Sequence, residues 1–299
     1  SNKSMDISQF FRIRLSTIRP EKQTAFDIYI LIDNKMVLYR RAGEHLFQEK
    51  IETLHSRDTG NSFFVKNTDK DIYRAWVKEE INSDTIKKRK KANILRESSL
   101  AIMEDLFENP DVNKALDESK PIISDFLKFM DQAPESVGYL LSLSGHDFYT
   151  YNHSLDVSIY SLGLGKVLGF DSRQLEELGL GCLFHDIGKR NVALEILCKR
   201  GPLDDAEWEQ MKRHPQYGLV ILNQNENISD GIKAACFEHH ESWAGNGYPQ
   251  QIAGNDIHPF ARIVAICDTY DAMTTQRSYN VPLKPTEALT MMRDKLAGR

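Results

Sequence analysis

An apolar run closes on His185-Asp186, and Lys189 follows three residues after the aspartate. At the end of a helix, His185 and Lys189 stand at i and i+4, and Asp186 and Lys189 at i and i+3. All three then share roughly one face. An imidazole nitrogen can ligate a transition metal, a carboxylate can bridge two cations, and an ammonium can hold a phosphate oxygen. Alone, such a pair is usually a structural hydrogen bond. The rest of the chain supplies more donors than that use requires: His153, His214, His239, His240 and Asp268. Two cations would suit this set. One would take His153, His185, Asp186 and Asp268. The other would take Asp186 as a bridge, with His214, His239 and His240. A mixed imidazole and carboxylate shell favours iron, manganese, zinc or nickel over magnesium or calcium. Solvent between two such cations would be hydroxide near neutral pH, placed to attack phosphorus.

Five successive helices must carry these donors, as helix bundles do when they build metal sites from inward-facing side chains. Leu155, Ile159, Leu162 and Leu168 mark the first, with His153. Leu175 to Phe184 marks the second, closed by His185 and Asp186. Leu203 to Leu222 marks a third, interrupted at His214-Pro215 because proline lacks an N–H and crowds the preceding turn. Ile232 to His240 marks the fourth, and Pro259 opens a fifth through Ala272, with Asp268 inside. The loop Ser242–Pro249 has the turn formers of an irregular exposed segment.

Upstream, residues 1–83 read as a small α/β domain. Phe26–Ile32 and Met36–Arg40 predict a hairpin around Asp33-Asn34-Lys35. A helix over His45–His55, a turn at 58–61, a strand over Ser62–Val65 and an amphipathic helix through Ile72, Trp76, Val77 and Ile81 follow. His45 and His55 read as fillers, and the domain as a scaffold or a regulatory or interaction module. Residues 84–133 predict a helical linker in two long pieces. Its run Lys87–Lys91 reads as a solvated helix face, since no aromatics interleave with it. The helical domain then occupies 134–299.

Composition excludes several classes. Of 299 residues, 41% are hydrophobic and 27% charged, as in ordinary soluble proteins. A net charge of -5 gives no footprint for DNA. No apolar run is long enough to span a bilayer, and Ser1–Met5 lacks the apolar core of a signal peptide. Cys182, Cys198, Cys236 and Cys267 form no CxxC pair and are expected as free thiols, which fits a reducing cytoplasm. The histidines are concentrated instead: seven of nine lie between His146 and His258.

Taken together, His185-Asp186-Ile187-Gly188-Lys189, His214-Pro215, Phe237–Glu241, Gly245-Asn246-Gly247-Tyr248-Pro249 and Ala261–Thr274 resemble the HD-GYP domain. That is a subgroup of the HD metal-dependent phosphohydrolases, and the resemblance covers about 134–299. It implies a five-helix core with a bi- or trinuclear centre, often iron, and hydrolysis of cyclic di-GMP to pGpG and in some members to GMP. By matching positions it makes His153, His185, Asp186, His214, His239, His240 and Asp268 the metal ligands. Lys189 would hold or polarise the scissile phosphate, or else pair with Asp186. Tyr248 and Arg277 would contact the nucleotide, their plainer roles being loop packing and a surface charge. Asp271, at i+3 from Asp268, would orient a ligand, while His146 and His258 have no assigned role.

The chain departs from the pattern at several positions. Tyr149 stands where trinuclear members carry a glutamate, which argues for two metals. Ala244 replaces a loop aspartate, and Asn280 a basic residue. The alternative reading is a receptor or adaptor that binds the nucleotide, or diguanylate-cyclase-type partners, with little turnover.

Overall fold

The computed structural model describes residues 6–44, 63–108, 110–133, 135–143, 150–275 and 281–299. The chain divides into two compact units: Ser1–Glu108 with Gln132–Leu140, and Asn109–Asp131 with Leu141–Arg299. The stretch 84–133 is thus shared between them. Helix α2 (Lys88–Glu108) belongs to the first unit and nearly all of α3 (Val112–Gln132) to the second.

The first unit is an antiparallel four-stranded sheet in the order β1-β4-β2-β3. The strands are β1 (Phe10–Ile13), β2 (Ile28–Ile32), β3 (Lys35–Arg40) and β4 (Phe63–Lys66). The expected hairpin is β2–β3, with Ile32 opposite Lys35. Asp33 and Asn34 take φ of 48° and 60°, the left-handed pair that matches a two-residue turn to the strand twist. Strand β1 was not expected from the sequence; it is four residues long and pairs with the remote β4. Helix α1 (Lys70–Asn82) buries Tyr73 and Trp76 around Phe26, with ring centroids 5.5 and 6.0 Å away. Glu80 on α1 is fully buried and receives Arg19 through two hydrogen bonds, of 2.6 and 2.9 Å, and Lys22 through a third. The basic run is only partly a solvated face. Lys88 meets Glu135 at 3.0 Å in the open, but Lys91 is buried. The expected helix and turn over 45–61, with His45 and His55, lie outside the described residues.

The second unit is helical. After α4 (Glu135–Ser142), the helices are α5 (Thr150–Val167), α6 (Ser172–Phe184), α7 (Leu194–Leu197), α8 (Asp205–Met211), α9 (His214–Asn223), α10 (Asp230–Glu238), α11 (Pro259–Thr274) and α12 (Pro285–Met291). The third predicted helix is therefore two, α8 and α9, and Pro215 sits in the first turn of α9, where its missing N–H costs nothing. Val157 of α5, Leu178 and Cys182 of α6, Ala235 of α10, and Phe260, Val264 and Cys267 of α11 form one buried cluster. It fixes those four helices around the polar site. The four cysteines are free thiols. No helix among the described residues is long and apolar enough to cross a membrane.

Candidate metal centre

Each donor sits where a helix ends or faces inward. Helix α6 starts on a reciprocal cap between Asp171 and Gln174 and stops at His185. The chain then turns through Asp186 into a 3-10 segment, Ile187–Asn191. Gly188 lets that segment cross α9: a Cβ there would lie 1.8 Å from the His214 carbonyl oxygen and 2.5 Å from the Gly218 nitrogen. Only glycine permits this approach, which brings Asp186 beside His214.

Three histidines are locked by the same device. His185 Nδ1 lies 2.5 Å from the Cys182 carbonyl, His214 Nδ1 2.7 Å from that of Met211, and His239 Nδ1 2.7 Å from that of Cys236. Each carbonyl lies three residues back at a helix end, where carbonyls have spare accepting capacity, and that of Cys182 also takes the His185 amide at 3.4 Å. A carbonyl only accepts, so Nδ1 carries the proton and Nε2 of the neutral ring presents a lone pair. His185 Nε2 is buried with no hydrogen-bond partner. His214 Nε2 and His239 Nε2 face each other at 3.3 Å. Lone pair against lone pair is repulsive, so the arrangement calls for a cation.

The donors fall into two groups whose ligand atoms lie within 4.8 Å of one another: Asp186, His214, His239 and His240, and His153, His185 and Asp268. Asp186 joins them. Its Oδ1 lies 3.3 Å from His214 Nε2 and 3.5 Å from His239 Nε2. Its Oδ2 lies 3.3 Å from His185 Nε2 and 3.7 Å from His153 Nε2. His153 is held from both sides, with Nε2 2.7 Å from Asp268 and Nδ1 2.6 Å from Asp271. Asp271 is fully buried and takes a further bond from the Thr275 hydroxyl at 3.0 Å. Its contact with His153 Nδ1 is the one a carboxylate orienting a ligating imidazole would make.

The electrostatics follow from burial and sharing. Burial works against charge on His153, but its bonds to Asp268 and Asp271 prevail and push it up to about 10. Burial also resists ionisation of Asp186 and Asp268, yet the surrounding imidazoles, and Lys189 beside Asp186, hold both carboxyls below the usual range. Burial and neighbouring imidazoles keep His240 well below its ordinary value. Burial lowers His239 as well, despite its bond to Asp186. Neutral imidazoles beside ionised carboxylates are the forms that ligate metals. That is the state of His239 and His240 beside Asp186, while His153 would have to give up its proton to a cation. The two groups are donor sets that could hold metal ions.

Lys189 reaches Asp186 Oδ2 at 3.0 Å, the plainer of its two expected roles. Tyr248 stacks on His240, with centroids 4.8 Å apart and planes 14° apart, and its amide donates to the His240 carbonyl at 3.1 Å. Gly247 makes the close approach possible, since a Cβ there would lie 2.4 Å from that same oxygen. A loop carboxylate exists despite Ala244. Glu241 is buried and accepts from the Gln250 and Ile252 amides at 2.5 and 3.1 Å. Sequence reasoning missed it; the adjacent acid after two histidines was the available signal. His258 serves elsewhere, accepting the Phe260 amide at 3.0 Å to cap α11. His146, Tyr149, Arg277 and Asn280 lie outside the described residues.

The HD domain family model matches residues 120–298. A cyclic di-GMP phosphodiesterase of Pseudomonas aeruginosa (PA4108) is 32% identical over 203 residues, covering 67% of this chain and 49% of that protein. A 3'3'-cGAMP-specific phosphodiesterase of Vibrio cholerae is 36% identical over 131 residues, 44% of this chain and 25% of that protein. The chain thus spans about half the length of the first and a quarter of the second. Among solved structures, Bd1817, an HDG"Y"P protein from Bdellovibrio bacteriovorus, aligns with a TM-score of 0.75 at 22% identity, covering 97% of this chain and 95% of that one. That alignment extends the likeness of fold to the sheet-bearing N-terminal unit.

Proposed function

This chain belongs to the HD domain family as an HD-GYP protein, and from that premise we propose that it hydrolyses cyclic di-GMP to linear pGpG. One observation carries the reading: the two oxygens of Asp186 are divided between two imidazole groups. A carboxylate so divided suits a bridge between two cations. His153, His185 and Asp268 would hold one and His214, His239 and His240 the other. Iron is the first metal proposed, from the family resemblance; manganese, zinc and nickel suit the same donors.

Bound there, the cations would supply Lewis-acid activation of water and phosphate. The chain supplies the rest. Its buried imidazole wall limits bulk water and strengthens charge interactions. Lys189, already beside the shared carboxylate, can meet a phosphate oxygen and offset the charge that builds there. Tyr248, seated on His240, walls the site on the loop side. Water oxygen would join phosphorus as it gives up one proton to solvent, the bond from phosphorus to the 3' oxygen would break, and the departing oxygen would take a proton from solvent in return. The regulatory or interaction role proposed for the first unit rests on where the donors lie. Among the described residues, both donor groups are in the second.

Elemental analysis of protein purified without added metal should find about two transition-metal ions per chain, as two donor groups require. The loaded protein should convert cyclic di-GMP to pGpG. Asp186→Ala should lose metal and turnover together. Binding of the dinucleotide without product would favour the receptor reading, and an Asp186→Ala protein with full metal content would end the ligand assignment.

A further inference from the structure

Trp208 is a large apolar side chain left 45% exposed on α8, a short helix that carries none of the metal-binding candidates. A single exposed tryptophan is unremarkable by itself. Its neighbours are what matter. The indole meets the Tyr248 ring at 6.3 Å and 82°, and Tyr248 in turn lies flat on His240. The aromatic surface therefore runs from a donor of the candidate centre, through the loop tyrosine, out to a half-open indole. Two ring-to-ring steps separate Trp208 from the imidazole, comparable to the reach from a phosphate across its ribose to the base. One turn further on, Lys212 sits 6.0 Å from the Tyr248 centroid and 2.6 Å from Glu209. A cation is thus present along the same rim.

We propose that Trp208 is a substrate-positioning residue: its indole stacks against a purine base of the dinucleotide whose phosphate is held at the metal centre. This rests on the proposed function and deepens it. Purine bases present an extended aromatic face, and stacking on an indole tolerates either guanine or adenine. Trp208 therefore adds affinity for cyclic dinucleotides as a class without separating cyclic di-GMP from its guanine–adenine counterpart. Trp243 is equally exposed but lies under Arg262, whose guanidinium carbon is 5.7 Å from the ring. It serves as the comparison residue.

The experiment measures three things on metal-loaded protein: steady-state hydrolysis of cyclic di-GMP, hydrolysis of bis(p-nitrophenyl) phosphate, and quenching of tryptophan emission by cyclic di-GMP. Trp208→Ala should raise KM for cyclic di-GMP roughly tenfold, within the range that base–aromatic stacking covers. It should leave kcat and bis(p-nitrophenyl) phosphate turnover within about twofold, since that probe has no base to stack. Trp208→Phe should recover most of the KM, and Trp243→Phe should not change it. Quenching should survive Trp243→Phe and vanish in Trp208→Phe. An unchanged KM and retained quenching in the Trp208 variants would overturn the proposal while leaving the phosphodiesterase reading intact. If the native protein cleaves bis(p-nitrophenyl) phosphate but neither binds nor cleaves cyclic di-GMP, both fall together. Equal loss on both substrates would show a structural role and also refute it.

Discussion

Asp271 touches no proposed cation and no substrate, yet it holds the outer nitrogen of His153 at 2.6 Å. Removing a carboxylate that orients a ligating imidazole typically lowers metal affinity or activity by about 10- to 100-fold. Asp271→Ala should do so, measured as the dissociation constant for manganese(II), and Thr275→Val should have a milder effect because it only steadies Asp271. A proton competes for the same histidine. Its folded-state value, about 10, lies above the ordinary 6.5. In metal-free protein the stability it contributes is complete below 6.5 and is lost as pH rises through about 10. A metal must displace that proton, so manganese affinity should rise with pH across this window. Uptake at pH 7.5 should also acidify a weakly buffered solution. Affinity that is flat with pH would remove His153 from the ligand set. The ligand candidates were legible in the sequence because the chemistry admits few residue types. Trp208 was not, because a tryptophan at helical spacing reads as core.

Helix ends, more than helix faces, build this centre. His185, His214 and His239 each use a terminal carbonyl to fix their tautomer. The critical junction is Gly188 against α9. Gly188→Ala would place a methyl within bonding distance of the His214 carbonyl oxygen. Backbone cannot yield as a side chain can, so the segment carrying Asp186 and Lys189 must lift away from His214. Stability should fall by about 3 kcal/mol, at the upper end for an overpacked site. Metal binding should weaken more than that loss alone explains. Measuring both separates displacement of the bridge from general loosening; a variant of native metal affinity would refute the close-crossing argument. The glycine was visible in the sequence as part of a motif, but its reason was not, since the clash involves a helix more than twenty residues away. The four-residue strand β1 escaped for a related reason: its partner β4 lies fifty residues on, and a run so short has little period to read.

On the scale of the whole chain, the two units should respond to different perturbations. A ligand that binds only the folded state stabilises it by RT ln(1 + [L]/Kd), about 4 kcal/mol at a thousandfold excess over Kd. For a unit the size of the second, each 1 kcal/mol moves the midpoint by about 2–4 °C. Removing metal with a chelator should therefore lower that unit's calorimetric transition by about 8–16 °C and leave the first unit's in place. The first unit has its own lever in Glu80, whose carboxylate stays ionised because the bonds from Arg19 and Lys22 outweigh burial. Its value is depressed, so the stability it gives is present above 4.5 and is lost as pH falls through the lower folded-state value. Glu80→Ala should cost the first unit about 2–3 kcal/mol, the scale of hydrogen bonds to a charged group. It should leave the chelator-sensitive transition where it was. The two perturbations then identify the two transitions without cutting the chain. A chelator that shifts both transitions equally, or neither, would contradict a metal centre confined to the helical unit.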